Sequence, residues 1–339
     1  MKLIKTEDAV GHVLCHDLTQ IIKDQYKDAR FRKGHVVTQE DIPVLLSMGK
    51  EHLYVWEMTP GMLHENDAAE RLYTLCVGDH MDRSEVKEGK IELKAACDGL
   101  FRVNSEKLMA VNSIEDIMIA TRKGGTAVRK GDKLAGMRVI PLIIPEEKLQ
   151  AAEQAAGDTP LLELKPWVRR TAAIVATGSE VKKGLIQDTF TPVVKDKLAF
   201  YGIETLSVSY SGDGVENVAN AIAEARATGA DVILCTGGMS VDPDDNTPGG
   251  IKESGAKIIT YGAPVLPGAM FLLGYYDDGT PVMGLPGCVM YAGATIFDLV
   301  LPFVAADVPV TRQQIVTLGE GGLCLGCKPC HWPECSFGK

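Results

Sequence analysis

The chain has 339 residues, 45% hydrophobic and 24% charged, which is enough apolar material for two or three globular units with buried cores. A formal net charge of −10 argues against a basic nucleic-acid scaffold, but not against a small anionic ligand, because backbone amides and helix N-termini hold phosphate without net positive charge. The first ten residues carry Lys2, Lys5, Glu7 and Asp8 and no apolar signal core, and the most apolar stretch, 289–310, is broken by Asp298, Pro302 and Asp307, so a cytoplasmic protein without a membrane span is expected.

Residues 1–60 read as a small β-helix-β module. Gly11-His12-Val13-Leu14 is a strand-like run, and Arg32-Lys33-Gly34-His35-Val36-Val37 is a turn into a strand. Thr38 caps a short helix with Asp41 three residues on, and Ile42, Val44, Leu45 and Leu46 form its apolar face. Gly49 ends it, and His52-Leu53-Tyr54-Val55-Trp56 is a second strand. His12, Cys15 and His16 lie close in sequence, but strand alternation sends neighbours to opposite faces and argues against a metal site. Residues 61–156 combine a helix over 64–80, where Ala68, Leu72 and Cys76 repeat at helical spacing, with a β-rich stretch over 89–144. A charged, alanine-rich helix over 146–156 follows. Gly157-Asp158-Thr159-Pro160 and then Pro166 mark residues 157–167 as a linker.

Beyond the linker the pattern changes. Strands over 171–177, 204–210 and 232–236 alternate with helices over 189–201 and 215–228, which implies an α/β unit at 168–310 with a parallel sheet covered on both faces. In such sheets ligands sit at the carboxyl ends of the strands. Three loops stand there. Thr177-Gly178-Ser179-Glu180 exposes backbone amides behind a buried strand. Thr236-Gly237-Gly238-Met239-Ser240 lets the backbone approach a ligand closely, and Asp242, Asp244 and Asp245 follow within a few residues. Three such carboxylates repel one another unless a cation or hydrogen bonds compensate, and an oxygen-rich cluster suits magnesium. Gly284-Leu285-Pro286-Gly287-Cys288 leads into a helix over 289–300, whose N-terminus would favour a phosphate.

The ordered set Thr177-Gly178-Ser179-Glu180, Thr236-Gly237-Gly238-Met239-Ser240-Val241 with its aspartates, Pro267-Gly268, and Gly284-Leu285-Pro286-Gly287 resembles the molybdopterin-binding domain family, which includes molybdopterin molybdotransferases and adenylyltransferases. The resemblance implies a three-layer α/β/α domain with a mostly parallel sheet, preceded here by smaller α+β and β-rich modules. It further implies that Thr177, Gly178, Ser179, Glu180, Thr236, Gly237, Gly238, Met239, Ser240 and Thr247 line a pterin site. Pro267, Gly268, Leu285, Pro286 and Gly287 would complete it around the phosphate. Asp242, Asp244 and Asp245 would be the catalytic carboxylates, working with magnesium. The implied reaction inserts molybdate into adenylated molybdopterin and releases AMP. Gly11-His12-Val13-Leu14-Cys15-His16-Asp17-Leu18 resembles the opening segment of the molybdotransferases. A homo-oligomer and a cofactor-pathway or molybdoenzyme partner are expected, with no nucleic-acid or membrane partner. Two other readings stay open. One is a non-catalytic molybdopterin carrier or sensor. The other is a nucleotide hydrolase related to competence-damage-inducible proteins, suggested by Asp244-Asp245-Asn246-Thr247.

Residues 311–339 are expected to hold a strand and a metal-binding tail. Cys324, Cys327, Cys330 and Cys335 fall within twelve residues, with His331 among them. Four thiols at such spacing suit zinc or an iron–sulfur cluster, while a redox-sensitive thiol tail is the alternative.

Overall fold

The structure is a computed structural model and describes residues 2–23, 25–55 and 60–339. The chain divides into two compact units. The first comprises Met1–Ala96, Val103–Gly124 and Lys130–Leu164; the second comprises Cys97–Arg102, Gly125–Arg129 and Lys165–Lys339.

In the first unit, His52–Val55 pairs antiparallel with Lys2–Lys5, while Trp56, expected in the same strand, lies outside the described residues. The run at Gly11 makes only isolated bridges, Val13 to Val36 and Leu14 to Val55, because Gly11 and Gly34 turn the chain at positive φ (82° and 87°). Its backbone is therefore not a regular strand, and the alternation argument fails locally: Cys15 Sγ lies 3.8 Å from His16 Nδ1 and donates to Tyr54 O at 2.9 Å. A hairpin of Leu18–Ile22 and Tyr26–Phe31 stands where no strand was expected. The short helix begins at Asp41, whose Oδ2 accepts from Thr38 N and Oγ1 (both 2.8 Å), and it buries Ile42 and Leu45 with Ala9, Leu14, Phe31 and Leu53. Glu65–Cys76 is the helix expected over 64–80. A four-stranded antiparallel sheet orders Met81–Arg83, Ile91–Ala95, Lys133–Val139 and Ile117–Thr121. An extra helix, Ser105–Asn112, is capped by Asn104 Oδ1. Glu146–Ala156 is helical as expected, but the stretch read as a linker contains the strand Leu162–Pro166, with Leu161, Leu162 and Leu164 buried.

The second unit is built on a six-stranded sheet. Its elements after residue 168 are β1 (Thr171–Thr177), α1 (Ser179–Lys182), α2 (Phe190–Phe200), β2 (Glu204–Ser211), α3 (Val215–Ala227) and β3 (Val232–Thr236). Then come α4 (Thr247–Glu253), β4 (Lys257–Tyr261), β5 (Leu272–Tyr275), β6 (Pro281–Leu285), α5 (Ile296–Ala305) and α6 (Arg312–Thr317). The strand order is β2-β1-β3-β6-β5-β4; the first four run parallel and β5 runs against both its neighbours. Alternation along the strands splits the core in two. Ala172, Ile174, Val232, Leu234, Met283 and Leu285 pack on the α2 and α5 face. Ala173, Val175, Ile233, Cys235 and Val282 pack on the face of α3 and α4. Burial on both faces explains why these strands read as continuous apolar runs. This is the three-layer α/β/α arrangement expected for 168–310.

Two expectations at the end of the chain are corrected. The helix expected over 289–300 is a short 3₁₀ turn, Gly287–Met290, followed by α5 starting at Ile296. Thr295 and Asp298 form a capping box at that start, which moves the helix beyond the glycine loop. Past residue 311 the chain forms α6, capped by Thr311 and Gln314, rather than a strand; only Leu323 makes a bridge, parallel to Leu266.

Candidate functional site

The strand order places the site. From β1 the chain passes to β2 on one side, then crosses to β3 on the other, so the topology switches direction between β1 and β3. A crevice opens at the carboxyl ends of two strands whose connections leave in opposite directions. Thr177-Gly178 ends β1 there, and Thr236-Gly237-Gly238 ends β3.

These loops are locked by two buried hydroxyls. Thr177 Oγ1 lies 3.0 Å from Thr236 O and 2.9 Å from Thr247 Oγ1, and Thr247 Oγ1 lies 2.9 Å from Gly237 O. Two hydroxyl protons thus serve three contacts, so one of the three contacts has no proton at any moment. Thr247 N also donates to Gly238 O (3.1 Å). The glycines are required by contact as well as by φ (84° at Gly237, 58° at Gly238). A Cβ on Gly237 would sit 2.4 Å from Thr177 O, and one on Gly238 would sit 2.7 Å from Thr247 Oγ1.

The site residues expected from the sequence sort by placement. Thr177, Thr236 and Thr247 are 8%, 2% and 1% exposed, and the hydroxyls of Thr177 and Thr247 are engaged with the loops themselves. Met239 is a core side chain packed against Gly284, where a Cβ would lie 2.5 Å from its Sδ. Leu285 is fully buried at the end of β6. Gly268 packs on α5, since a Cβ there would meet Ile296 Cγ2 at 2.5 Å, and Pro267 O accepts from Ile296 N. Gly287 opens on free space, with Pro286 extended before it. Gly178, Ser179, Glu180 and Ser240 lie at the rim, partly or fully exposed. The phosphate site expected at the helix after Gly287 is corrected: Asp298 accepts from Thr295 N (2.7 Å) and pairs with Lys197 Nζ (2.5 Å), so a carboxylate already occupies the N-terminus of α5.

The acidic loop is open. Asp242 and Asp244 are exposed and Asp245 is half-buried, with Asp245 N bonded to Asp242 O (2.9 Å). Among the described residues no group of three or more His, Cys, Asp or Glu side chains is placed to hold a metal ion, at this loop or at the C-terminal thiols. Cys324, Cys327, Cys330 and Cys335 nevertheless line one cavity of about 150 Å³.

Three contributors escaped the sequence reading. Ser211-Gly212-Asp213-Gly214, at the end of β2, forms a fourth loop: Ser211 O accepts from Gly178 N (3.1 Å) and Asp213 Oδ1 from Ser179 N (3.3 Å). Its two glycines around an aspartate at a strand end were the available signal. Lys182 lies over Gly212, where a Cβ would be 3.6 Å from its Cδ and 3.9 Å from its Nζ, and so brings a cation to the rim. Tyr261, at the end of β4, donates to Met239 O (3.0 Å); burial and then the Asp245 carboxylate push its phenol above the usual range, which keeps it a donor.

Residues 173–306 match the family model described as "Probable molybdopterin binding domain", and residues 3–57 match "Domain of unknown function (DUF8806)". A CinA-like protein of Desulfosudis oleivorans is 37% identical over 86 residues, 25% of this chain and 21% of that protein. A CinA-like protein of Pseudothermotoga lettingae is 32% identical over 85 residues, with the same shares. The matched stretch thus spans about a fifth of these relatives. Among solved structures, the molybdopterin biosynthesis Mog protein of Mycobacterium ulcerans aligns with 41% of this chain and 97% of its own, at 22% identity and a TM-score of 0.35. A molybdenum cofactor biosynthesis protein of Pyrococcus furiosus covers 91% of this chain and 64% of its own, at 12% identity and a TM-score of 0.27. No helix among the described residues is long and apolar enough to cross a membrane.

Proposed function

We propose that the domain matching the molybdopterin-binding model holds molybdopterin or its adenylated form in the crevice between β1 and β3, and that the chain works in molybdenum-cofactor assembly. The carrying observation is the Thr177–Thr247 hydroxyl pair, which clamps the glycine loops so that backbone, rather than bulky side chains, borders the crevice. Ser179, Glu180, Ser240 and Gly287 are the rim positions that would meet the pterin and its phosphate. Lys182 supplies a cation for the phosphate, and the half-buried Ser179 brings a hydroxyl to the rim.

Insertion of molybdate is the finer form of this reading. Asp242, Asp244 and Asp245 would be the residues facing magnesium or the oxyanion. Their side chains have no hydrogen-bond or ion-pair partner among the described residues, and they do not converge as a metal site. A cytoplasmic homo-oligomer that passes its cofactor to a pathway partner or molybdoenzyme belongs to the same reading.

The test is binding of molybdopterin to the full chain, followed by anaerobic pterin fluorescence, with and without AMP transfer and molybdate. Tight binding abolished by Lys182→Ala together with Ser179→Ala supports the crevice. Binding unchanged by that pair places the ligand elsewhere. AMP release with magnesium supports turnover; binding without release leaves the carrier or sensor reading.

Similarity to CinA-like proteins, together with Asp244-Asp245-Asn246-Thr247, favours one second reading, a nucleotide hydrolase related to competence-damage-inducible proteins. Release of nucleoside monophosphate from a dinucleotide would support it, and its absence would dismiss it.

A further inference from the structure

The C-terminal segment is held at both ends. Cys324 N donates to Leu266 O and Leu266 N to Gly322 O (both 2.8 Å), while Gly338 N donates to Gly321 O (3.0 Å). Phe337 is 3% exposed and belongs to the core beneath α5. Between these anchors, residues 325–334 contain one backbone hydrogen bond of their own, Glu334 N to His331 O (2.7 Å). The middle of the segment is otherwise held by Lys339 Nζ, which donates to Pro333 O, and by Trp332, which packs on the core.

The middle also carries sulfur. Cys324, Cys327, Cys330 and Cys335 share the 150 Å³ cavity, closed by Trp332 and Ala294. Gly293 makes room for one of them, since a Cβ there would lie 2.7 Å from Cys330 Sγ. A single zinc ion would draw four sulfurs to about 2.3 Å from one point, and no three ligands here are placed around one ion. The cavity is also larger than an ion needs, with room for about five waters. In a four-iron cluster each thiolate binds a different iron, so thiols spread round a cavity, two residues apart in a Cys-x₂-Cys-x₂-Cys run, form a suitable ligand set.

We propose that Cys324, Cys327, Cys330 and Cys335 hold a four-iron, four-sulfide cluster that cross-links the C-terminal loop. On transfer of a preformed cluster from a thiolate carrier, each thiol forms one S–Fe bond as one carrier S–Fe bond breaks, its proton passes to the released carrier thiolate, and no oxidation state changes. Cys330 rests on Gly293, in the same connection that carries Gly287, so the cluster would lie against the segment that follows the third loop. The proposal does not depend on pterin binding.

The experiment is anaerobic purification of the full chain, with iron, acid-labile sulfide and zinc measured per chain and paramagnetic resonance recorded after dithionite reduction. About four iron and four sulfide per chain are expected, with a reduced-cluster signal. The paired variant Cys327→Ser and Cys330→Ser removes two exposed side chains and should lose both elements while keeping the far-ultraviolet circular dichroism of the parent. About one zinc per chain without sulfide would overturn the cluster, as would a metal-free chain or iron content that the paired variant does not lower.

Discussion

Replacing Gly237 by alanine, with Gly229→Ala as its partner experiment, separates backbone conformation from close contact. The two glycines have similar φ, 84° and 77°. A Cβ on Gly229, past the end of α3, meets nothing within 4 Å, so Gly229→Ala bears only the left-handed backbone penalty of about 1 kcal/mol. That lowers Tm by about 2–4 °C for a unit of this size. A Cβ on Gly237 would lie 2.4 Å from Thr177 O, which is backbone and cannot rotate aside. Relief means parting the end of β1 from the β3 loop, which adds about 1–3 kcal/mol of overpacking and weakens the Thr177–Thr247 contacts at about 1 kcal/mol each. The expected total is about 4–6 kcal/mol, a fall in Tm on the order of 10–20 °C, with pterin affinity lost in Gly237→Ala and kept in Gly229→Ala. Thermal unfolding followed by circular dichroism, beside fluorescence titration, reads both. Equal Tm changes in the two variants, or full pterin affinity in Gly237→Ala, would refute the close-approach argument.

Three further outcomes are expected. Asp298→Asn leaves Lys197 without its carboxylate in a mostly buried place and weakens the cap on α5, so urea unfolding should show a loss of about 3 kcal/mol. His64 is held neutral: burial pushes its pKa down, its Nε2 faces Cys15 O, and its Nδ1 accepts from Asn66 N at 3.1 Å. Its folded pKa is below the unfolded value near 6.5, so the stability it contributes is complete above that pH and falls as acidification proceeds through it toward the folded value. His16, also lowered by burial, has the same sign, while Glu65, raised by burial, has the opposite one; the difference between parent and His64→Gln across pH 5–8 isolates His64, and parallel curves would dismiss its role. Arg129→Ala removes a guanidinium 4.0 Å from the Phe200 ring and 5.0 Å from that of Trp167, and should cost about 1–2 kcal/mol and alter Trp167 emission.

The central sheet was legible because β1, β3 and β6 are buried on both faces and so read as unbroken apolar runs ending in glycine. The same contrast hid the hairpin of Leu18–Ile22 and Tyr26–Phe31: the first strand fully buries only Leu18, and the second is charged and largely exposed, so neither alternates. Ser105–Asn112 escaped because only Val111 of that helix is buried. At the site, loop positions were readable but orientations were not. Thr247 looked like a ligand contact and instead locks the loops, and Met239 looked like part of the rim and lies in the core. Tyr261 reaches the second loop from β4, a pairing across the sheet that linear spacing does not encode.

The second unit takes two short pieces, Cys97–Arg102 and Gly125–Arg129, from far upstream, and Leu100 among them is fully buried in its larger core. During synthesis these pieces leave the ribosome well before the residues they will pack on, such as Phe303, which approaches the backbone at Gly125. At about 5–20 residues per second, the interval is on the order of ten to thirty-five seconds. Through that time the paired strands Gly99–Val103 and Thr126–Val128 wait on the nascent chain with the Leu100 side chain still uncovered. A gene fragment starting at residue 168 would never supply it, so a shortened product should emerge with an uncovered core and depend on chaperones more than the whole chain does.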